Sequence, residues 1–182
     1  PVCIAADRRA QAQHGGDSVV GFVTNSSRLL KQVEKEVARQ LKRLSRAEYI
    51  GDSLRKAGFA VLVRSIDHAI KICNEFAPEH LSLVVEDERR RLGEIRTAGA
   101  IYLGNISAIA VGDFLAGPSH TLPTGGAGKS FSGLRADQFQ RRTSIVKMDK
   151  ASVKKSLPVV QEFAQMEGLD AHGESVRLRV ER

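Results

Sequence analysis

Four short apolar runs, Val19 to Thr24 (VVGFVT), Phe59 to Val63 (FAVLV), Leu81 to Val85 (LSLVV) and Ala100 to Leu103 (AIYL), alternate with longer stretches patterned every three or four residues. Runs of this length, bounded by turn residues, read as buried strands, and the stretches between them read as amphipathic helices. A strand followed by a helix cannot turn back on itself as a hairpin, so successive strands are expected to pair in parallel. The rhythm limits the chain to an α/β fold, with a Rossmann-like, partly parallel sheet covered by helices. With 182 residues, 42% of them hydrophobic, the chain is long enough to bury its own core.

The helices follow from the same pattern. Cys3 to Gln13 has helix formers at helical spacing. Ser27 is the expected cap of a long helix that presents Leu29, Leu30, Val33, Val37, Leu41 and Leu44 to one side. A second helical segment runs from Arg46 to a stop at Gly58. Ser65 caps the next, which carries Ile66, Ala69, Ile70, Cys73 and Phe76 and must end by Pro78. A charged helix is expected from Glu86 to Ala98. From Gly104 to Gly133 the periodicity lapses into glycine, proline and polar residues, and so long a quiet stretch in a compact domain is usually functional. Beyond it the spacing predicts a short helix over Ala136 to Arg141, a brief strand over Ser144 to Lys147, and a helix over Ala151 to Glu167 kinked or broken at Pro158 and ended by Gly168. Residues 1–135 are therefore expected to form the α/β domain. Residues 136–182 form a small helical tail with too few apolar residues to stand alone.

The balance of charge separates function classes. There are 28 Lys and Arg against 21 Asp and Glu, a net +7, which would suit an anionic partner. The basic residues are spread over amphipathic helix faces, however, and aromatics are only 5%, so a nucleic-acid interface is not expected. Cys3 and Cys73 are far apart with no CxxC spacing; neither a disulfide framework nor a cysteine zinc site is indicated, and a reducing, cytoplasmic setting is expected. No signal peptide or membrane-spanning run is visible. The chain begins with Pro1 and enters a helical pattern at once, so a processed or truncated start is expected.

Two cofactor motifs are approached and missed. The segment GGAGKS lacks the glycine that a phosphate-binding loop needs five places before its Gly-Lys-Ser, where Pro123 stands. The dinucleotide fingerprint fails at Phe131, in the place of its third glycine. What remains is a scatter of chemically useful groups. Glu79 and His80 adjoin at the helix-to-strand junction after Pro78, a carboxylate beside an imidazole, although such a pair in a loop is most often solvated surface. Gln11 and His14 stand at i and i+3 near a helix end, where they could share a ligand. Asp113 and His120 lie seven positions apart in GDFLAGPSHTLPTGG, and Glu167 lies five before His172.

Taken together these residues resemble the C-terminal part of the histidinol dehydrogenase family over essentially the whole chain. The resemblance is carried by QAQHG, FAPEHLSL, AGAIYLG, GDFLAGPSHTLPTGG, the RRTS of Arg141 to Ser144, and MEGLDAH, in the family's order and approximate spacing. Four of the five histidines fall within these motifs.

The resemblance implies a zinc-dependent, NAD-linked oxidation of L-histidinol to L-histidine through the aldehyde, in two hydride transfers. It assigns Gln11, His14, Asp113 and His172 as zinc ligands. Two imidazoles, an amide oxygen and one carboxylate are acceptable donors that leave the site net positive. By the same resemblance His80 is the base that takes the alcohol proton, Glu79 activates the water that attacks the aldehyde, and His80, Asp113, His120, Glu167 and His172 touch the substrate. Such roles need groups that titrate near the working pH, where an imidazole starts and a carboxylate must be raised. Members of the family are longer, and NAD is expected to be held by the preceding part that this chain lacks. They are homodimers whose C-terminal tail reaches the partner's active site, which implies that Glu167 and His172 act there. AGKSFSGL and HGESVRLR depart from the family's commoner wording, so a relative acting on another alcohol, such as sulfopropanediol, is the alternative. A basic anion-binding module without catalysis is the rival from another class, and a dimerisation domain that has lost activity is a third.

Overall fold

The computed structural model describes residues 1–14 and 18–181. Of the turn residues Gly15 to Ser18, at which the sequence pattern of the first helix breaks, the first three lie outside them. Strand β1 (Val20–Thr24) pairs in parallel with β2 (Gly58–Leu62), in register from Val20 opposite Gly58 to Thr24 opposite Leu62. Strand β3 (His80–Leu83) pairs in parallel with β4 (Ala100–Leu103), His80 opposite Ala100. The pairing is parallel as the rhythm requires, but among the described residues the four strands form two separate two-stranded sheets rather than one. Both ladders run a rung past their strands: the Val63 N–H donates to the Thr24 carbonyl at 2.9 Å, and the Gly99 N–H to that of Pro78 at 2.9 Å.

The residues Pro1–Phe139 make one compact unit and Gln140–Arg182 a second. In the first, helices α1 (Val2–Gln11), α2 (Ser27–Leu41) and α3 (Ala47–Ala57) surround β1 and β2. Ala12, Val20 and Ile50 form a buried cluster, flanked by Leu41, Leu44 and Leu54. The cap of α2 is Ser26, not Ser27: its hydroxyl accepts from the Leu29 N–H at 3.2 Å, which makes Ser27 the first helical residue. Gly58 ends α3 as the sequence predicts, but without the left-handed form usual at such a stop. It is extended (φ −81°, ψ 139°), and α3 passes directly into β2 with the Leu54 carbonyl in the space that a Cβ would need.

Gln40 ties α2 to α1, its buried amide donating to the Val2 carbonyl at 3.2 Å. The same amide donates to Glu36 at 2.6 Å, and Glu36 also accepts from Arg39. These bonds hold the Glu36 carboxyl down at about 2 from its ordinary 4.5. A depressed folded-state pKa contributes stability that is present above the unfolded value and lost as pH falls through the folded one. Stability is therefore expected to decline from pH about 4.5 towards 2, and Glu36→Gln should flatten that limb in urea unfolding at stepped pH.

Four further expectations are corrected. The charged helix is only α5 (Glu88–Leu92), because past Gly93 the backbone of Glu94 and Arg96 is bound by the Asn74 side chain instead of continuing the helix. The quiet stretch contains helix α6 (Ile109–Phe114) and a single 3₁₀ turn at Ala127–Lys129. Ala136–Phe139 is likewise a 3₁₀ turn, and Ser144 to Lys147 is not a strand: none of the four strands offers it a partner, and Ile145 and Val146 are 91% and 82% exposed.

In the second unit α7 (Lys150–Glu167) packs on α8 (Asp170–Glu181). Asp149 caps α7, accepting from the Ser152 N–H at 2.7 Å. Pro158 neither ends nor splits the helix, which runs 18 residues across it; the lost rung is one among many. Gly168 (φ 68°) closes α7 as expected: its N–H reaches the Gln165 carbonyl, and that of Leu169 reaches Ala164 at 2.7 Å. Among the described residues no helix is long and apolar enough to cross a membrane.

Candidate active site

Helix α4 (Ile66–Phe76) delivers the chain to the site. Ser65 caps it as the sequence predicts, accepting from the His68 N–H at 3.2 Å. It stops at Ala77, which is left-handed (φ 53°, ψ 66°) and buried, because Pro78 disfavours a helical conformation in the residue before it. Asn74 then fixes the direction of exit. Its amide donates to the Glu94 carbonyl at 2.8 Å, its side-chain oxygen accepts from the Arg96 N–H at 2.8 Å, and its carbonyl accepts from the Thr97 hydroxyl at 2.9 Å. The last turn of α4 is thereby fastened to the segment that leads into β4.

Glu79 occupies the bend, and His80 is already the first residue of β3, one place before the strand expected from Leu81. This sets the orientation of the imidazole. In a parallel pair alternate residues share a face, so His80, Ser82, Ala100 and Tyr102 project to one side of the ladder while Leu83 is buried on the other. The rings of His80 and Tyr102 lie 6.0 Å apart, tilted by 31°. Asp113, near the end of α6, closes the arrangement: its Oδ1 is 3.3 Å from His80 Nε2, and both side chains are largely buried. The contact is not aligned as a hydrogen bond, and Nε2 is a buried polar atom without a partner. On the opposite side of the ring, Nδ1 is 3.9 Å from Glu79 Oε1, whose side chain is 37% exposed. Burial, and then the negative charge of Asp113, push the Tyr102 phenol up from its usual range.

The glycine-rich segment packs against this junction rather than forming a phosphate cradle. A Cβ at Gly128 would overlap the Thr97 carbonyl oxygen, and one at Gly99 would stand 2.7 Å from that of Glu79 and 3.1 Å from the Pro123 ring. In the segment that looks like a nucleotide loop, Gly128 therefore serves close backbone packing, while Gly125 and Gly126 take left-handed turn conformations (φ 58° and 85°).

The other expected residues are placed as follows. Gln11 is the last residue of α1, and His14 is exposed in the bend beyond it, not on the helix. His120 is exposed in the loop after Ser119. Glu167 ends α7, His172 lies in α8, and both are exposed in the second unit. Of the expected set the structure thus brings together Glu79, His80 and Asp113. Among the described residues no three His, Cys, Asp or Glu side chains stand close enough to hold a metal ion. The four donors suit zinc chemically; Gln11, His14 and Asp113 lie in the first unit and His172 in the second.

The sequence reading overlooked Asn74, Thr97 and Tyr102. Tyr102 was legible in principle, since the alternation that places His80 on one face places it there too. The Asn74 clamp works through backbone atoms and leaves no pattern.

Three comparisons bear on this geometry. The sequence profile of the family described as "Histidinol dehydrogenase" matches residues 1–180. The chain is 37% identical over 182 residues to a histidinol dehydrogenase of Heliobacterium mobile, covering 100% of this chain and 43% of that protein. It is 42% identical over 180 residues to that of Geobacter sulfurreducens, covering 99% and 42%. The crystal structure of histidinol dehydrogenase from Elizabethkingia anophelis superposes with a TM-score of 0.96 at 34% identity, covering 100% of this chain and 42% of that one. The chain spans well under half the length of these relatives.

Proposed function

Because the chain belongs to the histidinol dehydrogenase family, we propose that it supplies the acid–base groups for the NAD-linked oxidation of L-histidinol to L-histidine, by way of the aldehyde. One observation carries this reading. His80 Nε2 is buried, faces Asp113 at 3.3 Å and has no hydrogen-bond partner, as suits a base that receives a proton from a substrate rather than from the protein.

When bound, NAD accepts hydride, and zinc contributes a fixed positive charge that orients and polarises the substrate. The chain's own residues handle the protons. In the first step the alcohol loses its hydroxyl proton to His80 Nε2 as hydride leaves the carbon, and the carboxylate of Asp113 stabilises the imidazolium so formed. In the second, water adds to the aldehyde and hydride leaves again. Glu79 takes the proton from that water: its carboxylate sits at the bend beside the imidazole and is open enough for water to reach it. His120, Glu167 and His172 bind the substrate, the last two from the partner chain of a homodimer in this reading, and zinc is held by Gln11, His14, Asp113 and His172. Holding the aldehyde in place between steps protects it from stray amines.

The test counts NADH formed per L-histidinol consumed by the zinc-loaded protein as its gene encodes it. Two NADH per substrate is the expected result. No turnover with zinc retained would favour a different alcohol, such as sulfopropanediol. No turnover, no zinc and a steep salt dependence of oligonucleotide binding would favour an anion-binding module. Asp113→Asn, which removes the only anionic donor, is expected to lower zinc content after dialysis, read by atomic emission. Undiminished zinc would remove Asp113 from the ligand set.

A further inference from the structure

We propose that Tyr102 is a positioning residue for this reaction: its ring is the stop against which α6 seats, and so it sets the approach of Asp113 to His80. The inference rests on His80 acting as the base. Three observations converge on it. Tyr102 shares the face of the β3–β4 ladder with His80, and its ring lies 6.0 Å from the imidazole at a tilt of 31°. Gly112, the residue before Asp113, has no side chain where the phenol lies. A Cβ there would overlap the Tyr102 hydroxyl and stand 2.5 and 2.6 Å from two ring carbons. Asp113 in turn is 3.3 Å from His80 Nε2.

Helix α6 has little else to hold it at that height. It is six residues long, only Ile109 is buried, and Val111, Phe114 and Leu115 on it and just after it are 50%, 84% and 83% exposed. The stop is therefore local: the phenol meets the backbone of Gly112, and one residue later the carboxylate meets the imidazole. Strand β4 is firmer. The rungs from Gly99 and Ala100 to Pro78 and Glu79 fasten it, so the ring is carried on a rigid element and the helix is what gives way. Misplacing a reacting group by about 1 Å can cost on the order of 100-fold in rate.

The experiment compares Tyr102→Phe, Tyr102→Leu, Gly112→Ala and the Gly112→Ala/Tyr102→Leu pair in the full-length, zinc-loaded protein, with kcat and KM for L-histidinol measured separately. Tyr102→Phe keeps the ring and should retain kcat within about threefold. Tyr102→Leu should lose about 10- to 100-fold in kcat with KM little changed, since what is lost is alignment rather than binding. Gly112→Ala should show a similar loss, and the pair should recover part of it because the leucine leaves room for the added methyl. A Tyr102→Leu enzyme with unchanged kcat, or a pair no better than Gly112→Ala alone, would overturn the proposal. If Tyr102→Leu does not fold, Gly112→Ala decides: unchanged kcat there overturns it as well. His80→Gln run alongside separates the two layers. Full activity in that variant defeats the reading of His80 as base, whereas a dead His80→Gln with an unaffected Tyr102→Leu defeats only the role of Tyr102.

Discussion

Replacing His80 by glutamine is expected to slow oxidation of the alcohol by about 10²- to 10⁴-fold while leaving oxidation of supplied aldehyde much less affected. Glutamine is close in size and retains polar atoms, so the β3–β4 ladder and the packing on Tyr102 should survive; what it lacks is a nitrogen that accepts a proton at neutral pH. In the proposed reaction the first hydride transfer has to shed a hydroxyl proton, and Nε2, which lies 3.3 Å from Asp113 Oδ1, is the group assigned to take it. Glu79→Gln should show the reverse pattern, because the aldehyde must first be attacked by water and the carboxylate at the bend is the group that water can reach. Stopped-flow measurement of NADH from L-histidinol and from the aldehyde, on both variants, checks the division of labour. Equal losses on the two substrates would sink it.

Gly128→Ala is expected to be the most destabilising small substitution in this region, at or above the upper end of the ~1–3 kcal/mol usual for overpacking. The new methyl would meet the Thr97 carbonyl oxygen, a backbone atom that cannot swing aside like a side chain. Thr97 cannot retreat either, since its hydroxyl is bonded to the Asn74 carbonyl and the neighbouring Arg96 N–H to the Asn74 side chain. The strain should pass into the Pro78–His80 bend, lowering activity together with the urea midpoint. Gly51→Ala, inside α3 with its nearest neighbour the end of the Arg55 side chain at 3.5 Å, is the contrasting case and should gain roughly 0.5–1 kcal/mol. Similar midpoints for the two variants would show that the close approach at Gly128 is not as tight as described.

The alternation of apolar runs with amphipathic stretches made the parallel α/β character legible, because burial and helical period leave direct marks on composition. Whether the strands join one sheet or two does not leave such a mark: each run reads as a strand on its own, and which neighbour it meets is decided by long-range packing. Boundaries were misread where a tertiary bond overrides local preference, as at Glu94 and Arg96, or where an apolar run such as Ser144 to Lys147 finds no partner. The Glu79–His80 pair was visible as adjacent chemistry, but the approach of Asp113 to it was not: the resemblance implies Asp113 only as a zinc ligand and substrate contact, and α6 brings its carboxylate in from more than thirty residues away, a distance that spacing cannot bridge. The glycines of GGAGKS were conspicuous for a reason opposite to the one they suggest.

The Asn74 clamp bears on how such a site can change over generations. Its bonds to residues 94 and 96 are made to main-chain atoms, which every amino acid presents in the same form except that proline has no N–H to offer at 96. The clamp therefore does not read the side chains at those two positions, whereas it is lost with the Asn74 amide or the Thr97 hydroxyl. The bend that places the His80 imidazole is thus held by two inconspicuous side chains, neither of them charged.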